Sequence, residues 1–73
     1  MKQTIHYFLS KGESQYVAEC VELAIVTQGY TLDELVKNIN EATELHLEYE
    51  SPESKGFVLS PLISINYEYI KHA

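Results

Sequence analysis

Apolar residues recur along this chain with two different periods, and the switch between them sets the architecture. Over residues 31–50 (TLDELVKNINEATELHLEYE), Leu32, Leu35, Val36, Ile39, Ala42, Leu45 and Tyr49 follow steps of three and four, with Leu47 near the Val36 side of the same arc. That spacing predicts an amphipathic helix. Its opposite face carries Glu34, Lys37, Glu41, Glu44 and Glu48. Thr31 and Glu34 form the T-x-x-E pattern of a capping box, and Asp33 and Glu34 place carboxylates where the helix dipole favours them. Gly29 allows a sharp turn into the helix, and Pro52 marks its end by disfavouring helical geometry at Ser51. About 20 residues at about 1.5 Å each give about 30 Å, enough to cross a small sheet. Such a helix does not persist alone, so its apolar face requires a partner surface.

Elsewhere the period is two. Residues 2–10 place Ile5, Tyr7 and Leu9 on one side and Thr4, His6, Phe8 and Ser10 on the other. Residues 11–14 (KGES) read as a hairpin turn, with Gly12 able to take a positive φ. The returning strand, residues 15–20, sets Tyr16, Ala18 and Cys20 against Val17 and Glu19. Residues 21–23 form a second connection, and residues 24–28 (AIVTQ) a short third strand rich in branched side chains. After Pro52 comes a polar loop with Gly56; residues 57–59 are either an extension of the last strand or a packed loop. Residues 62–70 alternate again, with Ile63, Ile65, Tyr67 and Tyr69 opposed to Leu62, Ser64, Asn66 and Glu68. Pro61 is tolerated at a strand start or on an edge. The order β-β-β-α-β predicts an α+β fold: a four-stranded mixed sheet of order 3-2-1-4 with the helix on one face. The other face, carrying Phe8 and Val17, is left for a second copy or a protein partner to cover.

At 73 residues the chain is one domain with one thin core. Its net charge is −6, from 11 acids against 5 lysines and no arginine. Arginine supplies most bidentate recognition of phosphates and base edges, so direct nucleic-acid binding is not expected. No stretch approaches the roughly 20 apolar residues of a membrane span. The start, MKQTIHYFLS, is too short and polar for a secretory signal. The single Cys20 cannot close an intramolecular disulfide, which points to a reducing cytoplasm. Cys20 has no neighbouring base and reads as a small buried residue, while His46, within the helix's apolar arc, reads as a hydrogen-bonded core or interface group. His6 and His72 lack zinc-ligand spacing, and one exposed helix face bearing Glu34, Glu41 and Glu44 does not close a metal site. No catalytic residue, cofactor or metal is expected.

Three segments are more specific. Y-V-A-E-C-x-E-L at residues 16–23, T-Q-G-Y-T-L-D-E-L at 27–35 and N-I-N-E-A-T-E-L-H-L-E at 38–48 resemble the HicB antitoxin family. Val21, where many members carry proline, and Leu35, where alanine is common, depart from the pattern. The resemblance implies a partial ribonuclease-H-like fold. It also implies a partner: a HicA-like toxin, a small basic ribonuclease that cleaves messenger RNA. Longer members add a C-terminal DNA-binding domain; this sequence stops at Ala73 after the fourth strand, so DNA contact is not expected. Ribonuclease-H-type catalysis needs converging carboxylates, and the first strand offers none.

The reading that follows is a non-enzymatic protein-binding module, an antitoxin-like domain that covers the RNA-binding surface of a basic ribonuclease. The alternative is a stand-alone homo-oligomer, a dimer or tetramer, with no toxin. Candidate partner contacts are Tyr16, an aromatic of the kind enriched at interfaces, Glu19 and Glu22 as exposed acids flanking the second connection, and Glu34 and Glu41 on the acidic helix face.

Overall fold

The computed structural model describes residues 2–67. The chain forms β1 (Lys2–Lys11), β2 (Tyr16–Cys20), β3 (Val26–Gly29), α1 (Leu32–Tyr49), a short 3-10 turn (Pro52–Lys55) and β4 (Phe57–Tyr67). The sheet order is β3-β2-β1-β4. β1 with β2 and β2 with β3 are antiparallel, and β4 returns parallel to β1. The fold is therefore α+β with a mixed four-stranded sheet and one helix, in the order that the alternation predicts.

Register decides which side chains meet. Tyr7 stands opposite Cys20 and Leu9 opposite Ala18, so β1 and β2 turn one set of residues toward α1. Ile5 and Tyr7 pair with Ile63 and Ile65 of β4. Ile5, Tyr7, Leu9, Ala18, Leu35 and Ile39 are buried together, with Ile63 and Ile65 packed at the margin. Fully burying one such aliphatic side chain contributes about 1.5–3 kcal/mol.

The helix departs from the expected arc. Its buried residues are Leu35, Ile39 and Thr43, four apart, whereas Leu32, Val36, Leu45 and Tyr49 are exposed. Only one stripe of the apolar arc fits over so small a sheet, and both flanks overhang it. Thr43 enters the core because its hydroxyl is satisfied twice. It donates to the Ile39 carbonyl (2.6 Å) and meets the Tyr7 hydroxyl (2.7 Å). Thr43 has one hydroxyl hydrogen, so Tyr7 is the donor in the second bond. Burial raises the Tyr7 pKa above 10.0.

Thr31 caps the helix, accepting from the Glu34 amide at 3.1 Å; the return bond of the capping box is not among the bonds of the described residues. Gly56 alone among the described residues has a positive φ, +82°. Gly12 instead closes the hairpin by donating its amide to the Gln15 carbonyl at 2.7 Å. Gly29 is required by close approach: a Cβ there would lie 2.7 Å from the Leu35 amide nitrogen.

β4 begins at Phe57, so residues 57–59 extend the strand. Lys2 pairs with Phe57 but Thr4 with Leu62, so β4 carries an excursion between those pairs, and Pro61 falls within it. Phe57 is buried, with the Lys2 ammonium 5.4 Å from its ring centroid. The expected strand end at residues 68–70, with Glu68 and Tyr69, and also His72, lie outside the described residues. No described helix is long and apolar enough to cross a membrane.

Candidate protein-binding surface

The second connection is tied down by Glu22. Val21 donates its amide to the His6 carbonyl, continuing the β1–β2 ladder by one bond. The chain then turns away, and the Glu22 carboxylate takes the place of the missing strand. It accepts the His6 backbone amide at 2.8 Å and contacts the His6 ring at Nδ1. Glu22 is thus no free exposed acid: its side chain is only 13% exposed. Partial burial works against its charge, but the backbone and ring hydrogen bonds from His6 outweigh it and hold the carboxyl below 4.5. Cys20 belongs to the same corner; its Sγ accepts from the Leu23 amide at 3.4 Å.

Tyr16 is half-buried and already engaged. Its ring packs against Tyr67 at 6.5 Å between centroids, tilted by 59°, and the Lys11 ammonium sits 5.7 Å from it. Glu19 is exposed on the sheet face away from α1, opposite Phe8 on β1 and Val26 on β3. That face carries exposed apolar area at Phe8 (43%), Val26 (70%) and Leu62 (70%). Glu34 and Glu41 are exposed on the outer side of α1. With Glu48 they stand seven residues apart, two helical turns, and make one acidic row. The five candidates therefore do not form one patch. Glu34 and Glu41 share a surface, Glu19 lies on the opposite side of the sheet, Tyr16 packs against Tyr67, and Glu22 is bonded to His6.

The feature that sequence reasoning missed lies between β3 and the second half of α1. Residues 24–26 and the side chains of Ala42, Leu45, His46 and Tyr49 enclose an open groove of about 320 Å³. Leu45 and Tyr49 are the overhanging flank of the helix, 55% and 84% exposed. The His46 Nε2 is buried and has no hydrogen-bond partner among the described residues. Glu50 Oε2 is 3.7 Å from it, beyond hydrogen-bond reach, and is instead bound by Lys55 at 2.7 Å. Steps of seven and four from Asn38 through Leu45 to Tyr49 were the available signal, but they need the position of β3 to acquire meaning.

Among the described residues, no three His, Cys, Asp or Glu side chains converge to hold a metal ion. No family model, curated protein or solved structure matches the chain.

Proposed function

We propose that this chain is a protein-binding domain of the HicB antitoxin kind, which neutralises a small basic ribonuclease by occupying its RNA-binding surface. The observation that carries this reading is the exposed acidic row Glu34, Glu41 and Glu48, with Leu45 and Tyr49 exposed beside it. The row imitates the negative charge that a nuclease's basic residues would meet on RNA, and the apolar pair adds area that leaves water on contact. No bond is made or broken; inhibition is by occupancy. The choice of family rests on the resemblance carried by residues 16–23, 27–35 and 38–48.

The test is co-expression with the basic protein encoded by a neighbouring reading frame. That protein alone should arrest growth, and this chain should restore it and co-purify with it. A neighbour that is harmless, or that arrests growth without being bound, overturns the reading. The alternative homo-oligomeric role is favoured by the exposed Phe8, Val26 and Leu62 on the uncovered sheet face. Sedimentation of the Phe8→Glu variant, which should be monomeric where the parent is not, distinguishes it.

A further inference from the structure

We infer that the free edge of β3, together with the groove beside it, receives an extended, lysine- or arginine-bearing segment of a protein partner as a fifth strand. This deepens the protein-binding reading and rests on its basic partner. The backbone comes first. Cys20 donates to the Ile25 carbonyl at 3.0 Å, which makes that pair a hydrogen-bonded one. In an antiparallel ladder such pairs alternate, so Ala18 with Thr27 and Tyr16 with Gly29 are bonded as well. The amides and carbonyls of Val26 and Gln28 then point away from β2. The Asn38 side chain takes the Gln28 carbonyl at 2.7 Å. The Val26 amide, the Val26 carbonyl and the Gln28 amide remain as outward groups at the edge, the pattern that an added strand completes.

This edge is only four residues long, itself a partial guard, but it has neither charge nor proline to block an added strand. β3 reads Val-Thr-Gln-Gly, whereas the opposite edge, β4, carries Pro61 and an irregular register. The groove supplies specificity. Side chains of an added strand alternate, so every second one faces α1. One of these would enter the groove against Ala42 and Leu45, within reach of the unpartnered His46 Nε2. The neighbours two residues to either side would lie toward Glu41 and Glu48, four before and three after Leu45 on the helix. Both are exposed, and neither is in an ion pair among the described residues. A basic–apolar–basic pattern fits that surface. A second copy of this chain fits poorly, because it would bring its own net −6 to an acidic rim.

The probe is a capped peptide, Lys-Thr-Val-Thr-Lys, titrated into the isotope-labelled full chain, with Glu-Thr-Val-Thr-Glu as its charge-reversed counterpart. The lysine peptide should shift the Val26 and Gln28 amides and slow their exchange, and the glutamate peptide should bind about tenfold more weakly or not at all. Raising ionic strength from about 50 mM to about 500 mM should weaken the lysine peptide. Val26→Pro removes one outward amide without touching the β2 ladder, and Leu45→Glu places a charge in the groove; each should abolish binding while leaving the circular dichroism spectrum unchanged. Equal binding of both peptides, shifts centred on Phe8 and Leu62, or concentration-dependent protection of the edge in the free chain would each overturn the inference. The last would identify a second copy as the occupant. If a neutralising complex forms and survives Val26→Pro and Leu45→Glu, this docking site is wrong while the antitoxin reading stands.

Discussion

Replacing Thr43 with valine keeps the shape of the core and removes one hydroxyl, which isolates the Tyr7–Thr43 contact. Tyr7 is fully buried and Thr43 is 3% exposed, so water cannot replace the lost partner. The Tyr7 hydroxyl donates to Thr43, and Thr43→Val leaves that donor unsatisfied, at a cost of about 1–3 kcal/mol. Tyr7→Phe removes the donor instead; Thr43 keeps its bond to the Ile39 carbonyl, so the loss is nearer 1 kcal/mol. The double variant has neither orphan and should lose less than the sum of the singles, by about 1–2 kcal/mol. For a domain of this size each kcal/mol moves Tm by about 4–8 °C. Urea and thermal unfolding followed by far-UV circular dichroism measure all four proteins. Strict additivity, or a Thr43→Val variant as stable as the parent, would refute the assigned bond and its direction.

Glu22→Ala removes the acceptor for the His6 amide and should lower stability by roughly 1.5–3 kcal/mol at neutral pH. Because the folded carboxyl is held below 4.5, its contribution is complete above that pH and is lost as pH falls through the folded value; the gap between parent and variant in urea midpoints should therefore close in acid. Gly29→Ala drives a Cβ toward the Leu35 amide at 2.7 Å and should cost about 1–3 kcal/mol, read as a drop in Tm, although Gly29 has no positive φ. Tyr7 titrates above 10.0 in the folded chain, so stability is full below that pH and declines as pH rises through the folded value. The ultraviolet tyrosinate titration should show a late-ionising component that Tyr7→Phe abolishes.

Strand order and helix limits were legible because each depends on local periodicity. Ile5, Tyr7 and Leu9 alternate cleanly, and Thr31 and Pro52 bracket the helix. The buried stripe of α1 was not legible. Which third of a wide apolar arc is covered depends on where the helix axis crosses the sheet, and that follows from the Gly29–Leu35 approach and the Asn38–Gln28 bond, both non-local. Thr43 was overlooked because hydrophobic scoring treats a hydroxyl as polar, whereas two bonds make it a core group. Glu22 was misplaced for the converse reason: a carboxylate in a connection reads as solvated until a strand end needs an acceptor.

The irregular passage of β4 around Pro61 limits how copies of the sheet could join. Growth into a filament needs each molecule to offer two compatible rims, so that every addition regenerates the one it consumes. Here a ribbon laid along β3 finds regular backbone groups, while one laid along β4 meets a break and a missing N–H. Any sheet-to-sheet union through β3 therefore ends with itself, which protects a small, greasy-flanked domain from open-ended polymerisation at high concentration.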